Sequence, residues 1–376
     1  MRDSFFLAWH YLRHHRITTF VLIVSIALIL YLPAALQSIV VNAEKHFRAR
    51  AESTPLVIGP RGSGLELVLG SVYFDKPSSL VMRLGQRTRV ENEDLATVVP
   101  LNTRYTARDC LLVGTTPDYV LTRKLQIERG RHWEMLGECV LGAEAAKLLD
   151  VDVGDKIPVS KSSAFLLRDA PLRLQVVGVC SMTETPDDDV IFTDLQTTWI
   201  VEGLGHGHVK NAEHGSAEAR LYTDITKDNV GSFHFHGARD TFPITAMLVY
   251  PHDQKSETLL LGQYLSPEET AQIVRPEKIM ATLLARIVMI RSYLLAGIGL
   301  VAFVTLVMIG LVIALTIRLR RSEIVTMSKI GCARHTLAAI LGSQIVLVMF
   351  VGGSLAAALV LVTHLYGENI IRALVM

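Results

Sequence analysis

FVLIVSIALILYLPAAL, residues 20–36, is the stretch on which the reading of this chain turns. It lies in a longer run, Ile17 to Ala43, that holds no Asp, Glu, Lys or Arg. A helix needs roughly 20 apolar residues to cross about 30 Å of hydrocarbon, and this run exceeds that. The apolar region of a secretory signal peptide holds only about 7–15 residues, so the run reads as an uncleaved anchor. Two more uncharged stretches follow, Ser292 to Ile317 and His335 to Gly367. The chain is therefore expected to be a membrane protein: three transmembrane α-helices plus a mixed α+β extracytoplasmic domain inserted between the first and second.

Composition agrees with such a mixture. Of 376 residues 50% are hydrophobic and only 19% charged, with a mean hydropathy of +0.36, whereas a soluble domain carries about 25% charge. The net charge of +1 lacks the basic excess of a nucleic-acid binder, so no nucleic-acid partner is expected. The spans carry none of the acidic or basic side chains that mark ion paths and proton relays. His364 and Gln344 are the most polar residues in them, and conduction through the helices has little support. Gly352-Gly353 lies near the middle of the third span. Two half-spans there would each reach only about 24 Å, so one tilted helix is expected, with glycine allowing close packing.

Basic flanks set the orientation. Arg2, Arg13 and Arg16 precede the first span, and Arg318, Arg320, Arg321, Lys329 and Arg334 fill the connection between the second and third. Both sets belong in the cytoplasm. The chain then divides into an interfacial helix with the first span (1–43), an extracytoplasmic domain (44–277), a stalk with the second span (278–318), a cytoplasmic coupling segment (319–334), a third span (335–365) and an external tail (366–376). In SFFLAWHYLRHHR, residues 4–16, Phe5, Phe6, Trp9 and Leu12 fall near helical spacing, suiting a helix in the membrane interface. PEKIMATLLARIVMIRSYLL, residues 276–295, keeps helical periodicity into the second span behind a first-turn proline. A helix from Pro276 to Arg318 would be roughly 60 Å long, with a hinge between two separate helices as the alternative.

Within 44–277, short apolar runs alternate with turns. LVIG (56–59), CLLVG (110–114), ECVLG (138–142), KIPVS (156–160), LRLQVVGVC (172–180), DVIF (189–192), EARLYT (218–223) and ITAMLVY (244–250) read as strands. AEAAKLL (143–149) and SPEETAQIV (266–274) read as helices, the second with Ser266 as cap and Pro267 in its first turn. Cys110, Cys139 and Cys180 fall in this domain and read as buried strand residues, with at most one disulfide among them. Gly59 to Gly64 is glycine-rich but lacks the Gly-Lys-Ser/Thr ending of a phosphate loop, and reads as a turn. Asp187-Asp188-Asp189 reads as a solvated acidic turn, with hard-cation binding as the rival. No nucleophile elbow or HExxH pair is present. His206, His208, His214, His234 and His236 lie close in sequence and include two His-x-His pairs. Neutral imidazoles suit Zn²⁺, Cu²⁺ or Ni²⁺, and residues two apart on a strand share a face; a histidine-bearing surface loop is the plainer reading.

The inner connection, RLRRSEIVTMSKIGCARHT (318–336), is long enough for a short helix and turn, with Lys329-Ile330-Gly331 resembling a glycine-closed helix end. Taken together, this layout resembles the FtsX-like/MacB-like permeases of type VII ABC transporters, with their LolC-like relatives. GRHWEMLGECVLGAEAAKLLDVDVGDKI (130–157) and LQVVGVCSMTETPDDDVIFTDL (174–195) are similar to consecutive segments of that family's outer domain. PLVIGPRGSGLELVL (55–69) is similar to the segment after the first span, and SEIVTMSKIGCARH (322–335) to the inner coupling segment. The resemblance implies a permease subunit, itself not an enzyme, acting by mechanotransmission in the inner (cytoplasmic) membrane. It implies a homodimer or a pairing with a related permease, and a separate cytoplasmic ABC ATPase that holds the ATP and Mg²⁺. A periplasmic adaptor or substrate protein is the implied outer partner. Glu323, Met327, Lys329, Ile330 and Gly331 would contact the ATPase. The family usually has four spans, whereas three are read here, so the C-terminus is expected outside. Two other functions stay open: a regulator that activates an envelope partner, and a membrane-anchored metal-binding or sensor protein.

Overall fold

The structure, a computed structural model, describes residues 6, 9–10, 12–14, 16–159, 172–207, 223–319, 325 and 334–375. The chain forms two compact units, Met1–Lys45 with Leu283–Met376, and His46–Thr282. Helix α1, Arg16–Glu52, carries Pro33 inside it without ending there, as membrane helices tolerate.

The unit His46–Thr282 is α+β. Its helices are α2 (Gly64–Val72), α3 (Gly85–Asn92), α4 (Pro117–Arg123), α5 (Ala143–Leu149), α6 (Leu195–Glu202) and α7 (Gln254–Gln263). Its strands are β1 (Leu56–Pro60), β2 (Met82–Arg83), β3 (Ala96–Ala107), β4 (Cys110–Thr115), β5 (Ile127–Gly130), β6 (Glu138–Leu141), β7 (Lys156–Pro158), β8 (Leu172–Cys180), β9 (Val190–Asp194), β10 (Gly205–Gly207), β11 (Thr223–Asp224), β12 (Phe233–Phe235), β13 (Pro243–Ile244), β14 (Ala246–Pro251) and β15 (Ala271–Val274). Eleven strands make one mixed sheet, β11-β8-β6-β9-β4-β3-β14-β1-β15, with β5 and β7 also on β8. β10 pairs β12, and β13 pairs β2. β8 shows how sequence drives this. Leu172, Leu174 and Val176 are buried while Arg173 and Gln175 between them are half-exposed, and everything from Val176 to Cys180 is buried. Alternation gives way to a continuous run where both faces are covered.

Two cores result. One gathers Leu112, Cys139, Leu141, Leu149, Ile157, Leu174 and Ile191; the other gathers Leu56, Ile58, Val98, Trp199, Ile244, Met247 and Leu260. Cys110, Cys139 and Cys180 are buried free thiols. Burial pushes Cys110 up to about 11 and Cys180 up to about 12, which suppresses their thiolates.

Three segments differ from the sequence reading. SPEETAQIV is no helix: residues 266–270 turn, and Ala271–Val274 is β15, paired antiparallel with β1 through Val57↔Val274 and Ile58↔Ile273. A cap-like Ser-Pro with following glutamates gave a local helix signal, but an edge position beside β1 offers the chain a ladder of backbone hydrogen bonds. Strand β3 went unread because Pro100 interrupts it. Part of its polar interior is hydrogen-bonded, Asn102 Nδ2 donating to Thr198 Oγ1 of α6 at 3.0 Å and the Thr103 amide to Thr245 Oγ1 at 3.1 Å. EARLYT lies outside the described residues except for Thr223, in β11.

Helix α8, Pro276–Leu319, is continuous over 44 residues, and α9, Arg334–Val375, over 42. The third apolar stretch is thus a single helix. Among the described residues, two helical segments are long and apolar enough to cross a membrane, Thr19–Ser38 and Gly342–Thr363, and on α8 the apolar run is Ser292–Met308. Phe20, Phe303 and Phe350 are 68%, 65% and 71% exposed, an arrangement that suits hydrocarbon rather than water. In the helical unit Gly352 meets α1 closely, since a Cβ there would lie 3.0 Å from Ile26. Tyr31 and Thr363 hydroxyls are hydrogen-bonded at 2.9 Å.

Candidate functional site

The last turn of α1 carries Arg50, only 8% exposed. Its guanidinium grips Asp187 with both ends, Nη1 to Oδ2 and Nη2 to Oδ1, each at 2.7 Å. Nε donates to the Val72 carbonyl at 3.1 Å, and Nη2 also to Tyr119 Oη at 3.1 Å. Tyr119, fully buried on α4, donates its hydroxyl to Asp187 Oδ1 at 2.5 Å. Arg123 of α4 adds bonds to Ser53 Oγ at 2.8 Å and Thr54 Oγ1 at 2.6 Å. Burial alone would push the Asp187 carboxyl up, but the Arg50 guanidinium and the Arg50 and Tyr119 hydrogen bonds hold it below the usual carboxylate range. Burial pushes Tyr119 well above the ordinary tyrosine range. A forked guanidinium on a planar carboxylate fixes orientation as well as distance. Asp187 leads directly into β9, which pairs with both β4 and β6 near the middle of the large sheet. The end of α1 is therefore fastened to the centre of the α+β unit.

The acidic run is thus not a wholly solvated turn: Asp189 is exposed, but its two neighbours are not. Asp187 and Asp188 are each 3% exposed. Asp188 accepts the Thr183 amide at 3.0 Å and the Thr183 hydroxyl at 2.9 Å, so both carboxylates are engaged internally. The partner that explains Asp187 lies 137 residues away, beyond any local pattern.

A second cluster sits on β10 and β12. The ladder sets Gly205 against Phe235, His206 against His234 and Gly207 against Phe233. On one face the phenylalanine rings lie over the glycines: a Cβ at Gly205 would meet Phe235, and one at Gly207 would meet Phe233, each at 2.6 Å. Phe235 also packs edge-on to Trp199, at 6.2 Å between centroids. With the aromatics turned inward, strand alternation puts the histidines together on the other face. Ring centroids are 4.6 Å apart for His206 and His234, 4.9 Å for His206 and His236, and 4.7 Å for His234 and His236. The backbone continues the register, His236 donating its amide to the Leu204 carbonyl at 3.2 Å. Residues 205–207 are therefore strand, where the plainer sequence reading had a loop. Of the five histidines singled out from the sequence, the structure brings together His206, His234 and His236; His208 and His214 lie outside the described residues. So do Glu323, Met327, Lys329, Ile330 and Gly331.

In the glycine-rich Gly59–Gly64, residues 61–63 form the turn that joins the end of β1 to α2. Arg61 donates to the Ser266 and Pro267 carbonyls, and Ser63 Oγ accepts the Glu66 amide at 3.3 Å to cap α2.

Comparison with known families matches the MacB-like periplasmic core domain to residues 17–226. No curated protein matches the chain. Among solved structures it is similar to the periplasmic region of MacB from Actinobacillus actinomycetemcomitans, at 13% identity and a TM-score of 0.36, covering 62% of this chain and 94% of that one. It is also similar to the extracellular domain of the noncanonic ABC-type transporter YknZ from Gram-positive bacteria, at 12% identity and a TM-score of 0.34, covering 58% and 98%. A domain of a permease protein from Porphyromonas gingivalis matches at 14% identity and a TM-score of 0.28, covering 58% and 86%.

Proposed function

Since this chain belongs to the family of the MacB-like periplasmic core domain, the MacB/FtsX-like permeases of ABC transporters, we propose that it couples ATP hydrolysis on a separate cytoplasmic ATPase to movement of its extracytoplasmic unit. The work done is export or extraction of an envelope substrate. The observation that carries this is the extent of the family match, which begins at Ile17 in the first apolar helix and runs through most of the α+β unit. Support also comes from the spans, which carry no acidic or basic side chain and so offer cargo no polar path. A permease of this kind would act as a lever. In this reading α1 and α8 are the arms, and the Arg50–Asp187–Tyr119 network is the rigid joint by which α1 moves the head.

The proposed arrangement has three spans in the inner membrane, the N-terminus in the cytoplasm and the tail from Tyr366 outside. Two permease copies, or this chain and a related one, would share the ATPase pair, with residues 319–334 resting on it. A periplasmic adaptor or substrate protein would meet the head. The test is copurification from detergent followed by an ATPase assay. Glu323→Ala with Lys329→Ala should cut association and permease-dependent ATPase activity at least tenfold while the chain stays monodisperse. Undiminished association and activity in that variant would reject the coupling assignment.

A further inference from the structure

We propose that His206, His234 and His236 form a surface binding site for a divalent transition-metal ion of the Zn²⁺ class, a property independent of ATPase coupling. One nitrogen from each ring lies within 4.8 Å of the others. Three nitrogens on one tetrahedral Zn²⁺, each about 2.0–2.1 Å from the metal, stand about 3.4 Å apart. Closing that difference asks for a small rotation of side chains, two of which, His206 and His236, are exposed. The backbone beneath needs no change. His206 and His234 are directly opposite in the ladder, and His236 follows His234 by two residues on the same face. The Phe233 and Phe235 rings over Gly207 and Gly205 lock that register, because a one-residue slip would turn the rings outward and the imidazoles in.

Ligand orientation is also prepared. His234 Nδ1 lies 3.2 Å from the Ser232 carbonyl. A carbonyl only accepts, so Nδ1 carries the proton and the lone pair of the neutral ring sits on Nε2. Metal-binding histidines are commonly set in this way by a backbone oxygen. Borderline-soft ions prefer such an all-imidazole set, whereas Mg²⁺ and Ca²⁺ prefer oxygen. Three ligands on an exposed face leave a fourth position for an exchangeable donor, as in open rather than closed structural zinc sites.

The experiment uses the full chain in detergent, stripped with a chelator and titrated calorimetrically with ZnCl₂. One Zn²⁺ per chain is expected, with Kd micromolar or tighter. His234→Ala and His236→Ala should each weaken binding at least tenfold, while His252→Ala, outside the cluster, should not. Unchanged affinity and stoichiometry in the triple variant at 206, 234 and 236 would overturn the site, as would a wild-type chain that binds no Zn²⁺ in this range. Should the triple variant fail to fold, Co²⁺ added to the wild-type chain decides the question. Intense visible bands of a tetrahedral nitrogen-bound ion support the site, and the weak spectrum of the aqueous ion rejects it. Because no ATPase is present, failure here leaves the permease reading standing.

Discussion

Arg50 and Asp187 sit where two opposite costs must balance. Each charge loses water on burial, and the pair regains that through its two-pronged contact and the added bonds from Arg50 to Val72 and from Tyr119 to Asp187. Removing one partner strands the other, so Arg50→Ala or Asp187→Asn should each lower unfolding free energy by about 3–5 kcal/mol. Arg50→Met combined with Asp187→Leu should recover most of that loss, because neither charge then remains. Denaturant unfolding of the full chain in detergent measures all three, and a double variant whose loss is the sum of the singles would show that the side chains act independently. The pH dependence has a definite sign. The carboxyl is held below its unfolded value of about 3.9, so its contribution is complete at neutral pH. It is lost as pH falls below about 4, and Asp187→Asn should flatten that acid limb. None of this was legible locally: three consecutive aspartates look solvated until an arginine from the end of a distant helix is placed beside them.

At the scale of elements, the sequence was most readable where one signal acted alone. The run 172–180, alternating at first and continuously apolar from Val176, and the helical run 143–149 coincide with β8 and α5, because a strong strand pattern and a clean helical stretch leave little competition. Reading failed where tertiary pairing decided. β15 takes its hydrogen bonds from β1, and β3 accommodates Pro100 and Asn102 because β14 pairs along it and Thr198 of α6 accepts from the Asn102 amide. The histidine face was legible as two His-x-His pairs, but the three-residue strands that align them were too short to show a period. Helix α8 was foreseen from Pro276 and its periodicity, and its 44 unbroken residues extend about 66 Å. If it is a lever, stiffness is its essential property. Ala285→Pro, at an exposed position below the apolar run, removes a backbone hydrogen bond and kinks the helix at a cost of about 3 kcal/mol. ATPase association should survive this change. Nucleotide-driven distance changes between spin labels on the two heads of the proposed dimer should vanish, and changes as large as in the wild type would show that α8 transmits nothing.

For the whole molecule, the sidedness of the unit His46–Thr282 governs every functional statement. In the proposed arrangement, basic residues at 2, 13 and 16 and at 318–334 would hold the N-terminus and the inner connection on the same side, with the α+β unit on the other. The cysteines make this measurable with little engineering. Cys110, Cys139 and Cys180 are buried and should react slowly with a bulky maleimide, whereas Cys332 belongs to the inner connection. In spheroplasts a membrane-impermeant maleimide should label Arg239→Cys, an exposed position in the α+β unit, in a chain also carrying Cys332→Ala. In the unaltered chain Cys332 should stay unlabelled until the membrane is opened by detergent. The reverse pattern would put the α+β unit beside the cytoplasmic ATPase rather than across the membrane from it. A head in the cytosol would have no envelope substrate to move, and the lever would have nothing to work against.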